Sequence, residues 1–188
     1  WDFLWGGKKK QQRCVDYTEY NEGIYVGYRY FQTAGAPVSY PFGYGKSYTT
    51  FEYSKPVVKA TDKGFTATIT VKNTGAVAGK ESVQLYVAAP AGGLEKPAFE
   101  LKGFAKTKEL APGESQTLTI DVCKYTLASF NEANSAWETA AGTYKVMFGA
   151  NAADIRGTAV YKLKKAESWK VNNVLAPAQL INELTLQK

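Results

Sequence analysis

From Phe51 onward the chain alternates apolar and polar side chains with a period close to two, and nothing else in it restricts the fold as strongly. Successive side chains on a strand point to opposite faces, so this pattern builds surfaces that are dry on one side and wet on the other. Phe65, Ala67, Ile69 and Val71 supply one apolar face, while Thr66, Thr68, Thr70 and Lys72 cover the other. β-Branched threonine suits such a half-buried, pleated surface. The run stops at Asn73-Thr74-Gly75, which has the composition of a turn.

The same alternation returns at short intervals. A first strand is expected over Phe51 to Ala60, and Val83, Leu85 and Val87 repeat the pattern before the flexible connection Pro90 to Gly93. Phe99, Leu101 and Phe104 mark the next extended segment. At Ala111-Pro112-Gly113, proline presets φ and glycine accepts the positive φ that follows, which fits a tight turn into Leu118, Ile120 and Val122. After a short irregular or single-turn stretch around Tyr125 to Phe130, Gly142 opens a strand in which Tyr144, Val146 and Phe148 share a face. Ala159, Tyr161 and Leu163 close the set. About seven strands in little more than a hundred residues predict an all-β fold, an immunoglobulin-like or fibronectin type III-like β-sandwich.

The flanks lack that period. Residues 17–50 are crowded with Tyr and Gly and contain Pro37 and Pro41, which predicts an extended aromatic strap. Its rings can be buried only against another surface, either the sandwich or a neighbouring domain. The expected organisation is therefore a leader or domain end at 1–16, the strap at 17–50, the sandwich at 51–165 and a tail at 166–188. Within that tail, Val171 to Leu186 has weak helical spacing. The start Trp1-Asp2-Phe3-Leu4-Trp5 followed by Lys8 to Lys10 lacks the order of a signal peptide, so the amino terminus is expected to be internal to something longer.

Several functions are set aside by residue type. The formal charge is +6, but apart from Lys8 to Lys10 the basic residues are scattered along apparent strands, so no nucleic acid is expected as a partner. No stretch approaches the roughly 18 apolar residues that would suggest a membrane span. The chain holds no histidine, which excludes any catalytic triad that requires one. Cys14 and Cys123 have no metal spacing and can pair only if the fold brings their β-carbons together. Gly92-Gly93 with Lys96 is a turn and lacks the spacing of a phosphate cradle. Asp121, Glu132 and Asp154 fall on separate apparent strand ends, so no metal is assigned, and no cofactor is expected.

Two stretches carry a family resemblance. Glu22-Gly23-Ile24-Tyr25-Val26-Gly27-Tyr28-Arg29-Tyr30-Phe31 resembles the EGIYVGYRYF motif of glycoside hydrolase family three, and Pro41 to Phe51 resembles its PFGYGLSYTTF motif, with Lys46 at the usual leucine. Val71 to Gly75 with Gly79, then Val83 to Val87 and Glu100 to Phe104, are similar to that family's fibronectin type III-like domain. The likeness runs over roughly residues 17–165. It implies a parent enzyme of β-glucosidase type, a retaining exo-acting glycosidase with two carboxyl groups about 5–5.5 Å apart. It also implies that the nucleophilic aspartate sits in an amino-terminal barrel, typically within Ser-Asp-Trp, and the acid/base glutamate in an α/β sandwich domain.

This sequence contains no Ser-Asp-Trp and no matching glutamate motif, so no catalytic residue is carried over. Glu22, a glutamate among aromatic residues, invites an acid role, yet the resemblance places it in the connection between domains, where Glu22 and Arg29 are expected to make charge-assisted contacts or to cap backbone groups. Tyr25, Tyr28, Tyr30, Phe31, Tyr40, Phe42, Tyr44 and Tyr48 suit either sugar stacking or interdomain packing, and the intervening glycines, which allow close backbone approach, favour packing. Glu22, Tyr25, Tyr28, Arg29, Tyr40, Phe42, Tyr44 and Tyr48 are the candidate interdomain contacts. The expected role is an accessory carboxy-terminal part docking on upstream barrel and α/β domains, which reach an oligosaccharide or β-glucoside substrate. The alternatives are a stand-alone carbohydrate-binding or adhesion module and a structural spacer. The family implies a periplasmic or secreted protein.

Overall fold

The computed structural model describes residues 20–186; the leader at 1–16, Cys14 and the Lys8 to Lys10 cluster lie outside the described residues. A short helix α1 (Tyr28–Ala34) precedes eleven strands. They are β1 (Phe51–Tyr53), β2 (Val57–Thr61), β3 (Gly64–Asn73), β4 (Ser82–Ala88), β5 (Glu100–Lys106), β6 (Ser115–Cys123), β7 (Ser129–Asn131), β8 (Ala136–Glu138), β9 (Gly142–Gly149), β10 (Ile155–Leu163) and β11 (Ser168–Lys170). A single 3₁₀ turn, Lys124–Leu127, follows β6.

β3 is the long central strand of one sheet. It pairs antiparallel with β6 from Gly64 to Lys72, and β1 and β2 lie one after the other along its opposite edge. The second sheet runs β10-β9-β4-β5, all antiparallel. The alternation on β3 does what the residue pattern predicts: Phe65, Ala67, Ile69 and Val71 are buried. On the outer face the threonines bond across to β6, Thr66 to Asp121 at 2.5 Å and Thr70 to Thr117 at 2.8 Å. Val83, Leu85, Tyr144, Val146 and Phe148 of the second sheet meet the first sheet in one core. The chain is thus an all-β sandwich, each buried aliphatic or aromatic side chain contributing on the order of 1.5–3 kcal/mol through removal from water.

The strand expected over Phe51 to Ala60 is broken. Tyr53 pairs with Val71 and Val57 with Thr68, so Ser54, Lys55 and Pro56 face only Ile69 and Thr70. Proline has no N–H for the ladder, and the extra residue is taken up as a bulge. Ser54 fills the gap by donating its N–H to the Thr70 carbonyl at 2.9 Å and accepting the Thr70 N–H on its hydroxyl at 3.0 Å. Counted as one interrupted edge strand, β1 and β2 bring the two sheets to seven strand positions.

Three features depart from the residue pattern. β7, β8 and β11 form a separate small sheet whose strands are three residues each, too short to show a period. Its side chains are tied by rings, with Phe130 5.5 Å from Trp137, and Tyr125 5.8 Å from Trp137 and 5.4 Å from Trp169. Helix α1 stands within the strap, opened by Gly27 at φ 59° and closed by left-handed Gly35 at φ 63°. Residues 171–186, where helical spacing is weak, contain no helix: Pro177 interrupts the stretch, and Val174, Leu175 and Leu180 face solvent rather than a surface that would reward one.

Candidate functional site

The two family-like motifs fall in residues 20–50, and what holds them to the sandwich decides which of their side chains remain available. Tyr25 is buried and donates its hydroxyl to Glu95 Oε1 at 2.6 Å. Burial, reinforced by that hydrogen bond and the adjacent carboxylate, pushes the Tyr25 hydroxyl from its ordinary 10.0 up to about 12. Helix α1 buries no residue completely, so it rests on stitching rather than on an apolar stripe. The Tyr28 oxygen accepts the Leu101 N–H at 2.8 Å, and Thr33 Oγ1 accepts the Ala98 N–H at 2.9 Å. Arg29 pairs with Glu100 at 3.0 Å, and Lys102 holds the other oxygen of the same carboxylate, also at 3.0 Å.

The second motif is pinned from behind. Gln84 on β4 donates its amide to the carbonyls of Gly43 (3.1 Å) and Ala150 (2.9 Å), and its oxygen accepts the Tyr86 hydroxyl at 2.5 Å. Gly43 has φ 78°, and a β-carbon there would lie 2.1 Å from Gln84 Oε1, so only glycine lets the loop come this close. The Phe42 carbonyl accepts the Ala152 N–H at 2.9 Å, and Phe42 stacks on Tyr28 with ring centroids 4.4 Å apart. Farther along, Thr49 donates to the buried Asn73 side chain at 2.6 Å, and Asn73 in turn donates to the carbonyls of Val77 and Leu110, each at 2.8 Å.

The candidates therefore separate into two sets. Tyr25, Tyr28 and Arg29 are spent on this chain's own sandwich. Tyr40, Phe42, Tyr44 and Tyr48 point outward, Tyr48 being 98% and Tyr40 68% exposed. Phe31 and Val38 join Tyr40 and Phe42 around a shallow depression of about 200 Å³. Glu22 is exposed and makes no ion pair among the described residues; its carbonyl accepts the Tyr25 N–H at 2.9 Å. Lys46, the departure from the motif, is exposed at the mouth of a second cleft beside Glu81 and Arg156.

Residue reasoning did not identify the sandwich side of these contacts: Gln84, Glu95 and Glu100. Gln84 had a signal, as the one polar side chain within Val83-Gln84-Leu85-Tyr86-Val87. All five of these residues are buried. The pKa of one carboxyl within the sandwich is shifted upward. Burial raises that of Glu81, against the opposing pull of the Tyr53 hydrogen bond at 2.8 Å and of Arg156 at 3.4 Å. Arg156 also lies 5.0 Å over the Tyr53 ring and pairs with Asp154 at 2.7 Å, so the cluster is internally satisfied and joins the two sheets. Among the described residues no group of three His, Cys, Asp or Glu side chains is placed to hold a metal ion, and no helix is long and apolar enough to cross a membrane.

Comparison with known proteins places this arrangement. A family model for the fibronectin type III-like domain matches residues 81–152. A probable β-glucosidase H of Neosartorya fischeri is 38% identical over 156 residues, covering 80% of this chain and 19% of that protein. β-Glucosidase BoGH3A of Bacteroides ovatus is 41% identical over 148 residues, covering 77% of the chain and 20% of its own length. Among solved structures, β-glucosidase 3B of Thermotoga neapolitana in complex with glucose superposes with a TM-score of 0.78 at 42% identity, over 81% of this chain and 21% of that one. The GH3 β-glucosidase of Bifidobacterium adolescentis gives 0.74 at 36% identity, over 82% and 23%. The chain spans about a fifth of the length of the curated relatives it matches.

Proposed function

Because the chain belongs to glycoside hydrolase family three, as a carboxy-terminal region with the fibronectin type III-like domain, we propose that its outward aromatic face docks on the catalytic domains of a β-glucosidase-type enzyme. On this reading it is the accessory part of a retaining exo-acting hydrolase, and the nucleophile and acid/base are carried outside residues 1–188. The substrate is a β-glucoside or oligosaccharide, and the enzyme works in the periplasm or outside the cell.

The observation that carries the reading is the contrast between a rigidly anchored backbone and the open rings mounted on it. Gln84, Tyr28 and Asn73 hold the strap from behind, while Tyr40, Phe42, Tyr44 and Tyr48 keep much of their ring surface exposed, with Phe42 laying one face on Tyr28 and Tyr40 leaning on Tyr44. Aromatic anchors on a preorganised support are what the buried centre of a protein interface requires.

The test is reconstitution. The upstream barrel and α/β domains, produced separately, are titrated with the 188-residue chain and with a variant carrying Tyr40→Ser, Tyr44→Ser and Tyr48→Ser. The expected result is a complex with the parent chain, recovery of aryl β-glucoside hydrolysis in that complex only, and loss of the complex in the variant. Hydrolysis by the 188-residue chain alone, or equal binding by the variant, overturns the proposal.

A further inference from the structure

A groove of about 930 Å³ opens between the strap, the turn after β6 and the small sheet. Its size lies within the roughly 300–1,000 Å³ that encloses a small ligand, whereas a protein partner usually needs a patch of about 800 Å². Its electrostatics run against the rest of the molecule. Among the described residues five glutamates line it against Arg29 and Lys102, in a chain whose formal charge is +6.

The carboxylates are not equivalent. Glu95 takes the Tyr25 hydroxyl, and Glu100 is occupied by both Arg29 and Lys102. Glu22, Glu132 and Glu183 make no ion pair and no side-chain hydrogen bond among the described residues. One wall is aromatic: Tyr125, 48% exposed, and the half-buried Phe130 each make a tilted contact with the half-buried Trp137. The groove thus combines ring faces with three exposed carboxylates that make no ion pair among the described residues.

We infer that this groove binds a short amino-sugar oligosaccharide, protonated at its amines, with pyranose rings against Tyr125 and Trp137 and ammonium groups on Glu22, Glu132 and Glu183. A pyranose with equatorial substituents presents C–H faces that pack on aromatic rings, and an ammonium near the same rings gains cation–π attraction. A neutral saccharide brings no charge to the three exposed carboxylates, so an ammonium-bearing one is favoured over it. The choice of a saccharide rests on reading the chain as part of a glycosidase; the choice of positive charge rests on the groove alone.

The experiment is calorimetric titration of the full 188-residue chain with a glucosamine pentamer, cellopentaose and pentalysine. Saturable binding of the glucosamine pentamer is expected, weakening as salt is raised, with cellopentaose and pentalysine each bound at least about tenfold more weakly. Glu132→Gln and Glu183→Gln should each weaken binding about two- to fivefold, and Trp137→Ala about tenfold. Glu52→Gln, exposed on β1 and outside the groove, should change nothing. If Trp137→Ala does not fold, the two isosteric glutamate variants still decide.

Absence of saturable glucosamine binding overturns the inference. So does equal affinity for cellopentaose, which would make the groove a neutral-sugar site, or equal affinity for pentalysine, which would make it a peptide site. The docking reading fails separately, through the reconstitution with catalytic domains, and none of these titrations touches it.

Discussion

The sandwich and the strap use aromatic side chains in opposite ways. Tyr86, Tyr144 and Phe148 are enclosed by their own sheets, and burial pushes the hydroxyls of Tyr86 and Tyr144 up from their ordinary values. Tyr40, Tyr44 and Tyr48 stand on a backbone hydrogen-bonded to the sandwich yet leave their rings largely in water. In the first region the rings stabilise the fold. In the second the fold, through Gln84, Tyr28 and Asn73, holds the rings in place. Ring content alone therefore does not tell core from contact surface; the hydrogen bonds behind the backbone do.

The sharpest way to break this contrast is to truncate one ring of each kind. Phe148→Ala should destabilise the chain by about 3–5 kcal/mol in denaturant unfolding, through lost burial and the cavity left behind. A loss under about 1 kcal/mol would mean that the two sheets do not share one core. Next in size is Gln84→Ala, which leaves the Gly43 and Ala150 carbonyls and the Tyr86 hydroxyl without this partner. It should cost about 1–3 kcal/mol and speed amide exchange at residues 41–45 far more than on β3. Uniform acceleration would remove Gln84 as the anchor.

A third comparison uses alkali. The folded-state pKa of Tyr25 is raised, so the stability it contributes is in place below its ordinary 10.0 and drains as pH climbs through about 12. Tyr25→Phe should flatten stability against pH across that window, read by unfolding at matched pH values. Arg29→Ala, which opens one arm of a half-exposed ion pair, should cost no more than about 1 kcal/mol. Smallest of all, Tyr48→Ala should change stability by less than about 0.5 kcal/mol while weakening binding to the catalytic domains. A Tyr48→Ala variant that unfolds readily would place that ring in a core.

Legibility in the sequence followed the same division. β3, β6 and β10 are long, and their burial follows the alternation of Phe65 to Val71, Leu118 to Val122, and Tyr161 to Leu163; β9 buries Tyr144, Val146 and Phe148 as the alternation expects, and Met147 as well, on the opposite face against Tyr86. The small sheet escaped because three-residue strands carry no period, and its Phe130, Trp137 and Trp169 read equally well as loop residues. Helix α1 escaped because Tyr-Arg-Tyr-Phe has no apolar stripe, and its ends are set by two positive-φ glycines in a segment already rich in glycine. The family was legible from two short motifs. Which motif side chains turn inward was not, because that depends on Glu95, Gln84 and Glu100, 41 to 71 residues away along the chain.

The bulge at Ser54 to Pro56 also bears on how the chain behaves among its own copies. An unbroken edge strand offers a row of free N–H and C=O groups on which another chain can add, the first step toward fibrous aggregates. Here no stretch on that side exceeds the five residues of β2, Pro56 withholds a donor, and Lys55 and Lys59 add charge. A chain that displays so many open rings elsewhere thereby keeps one flank closed to templated growth, and a Pro56→Val variant is where such growth would start.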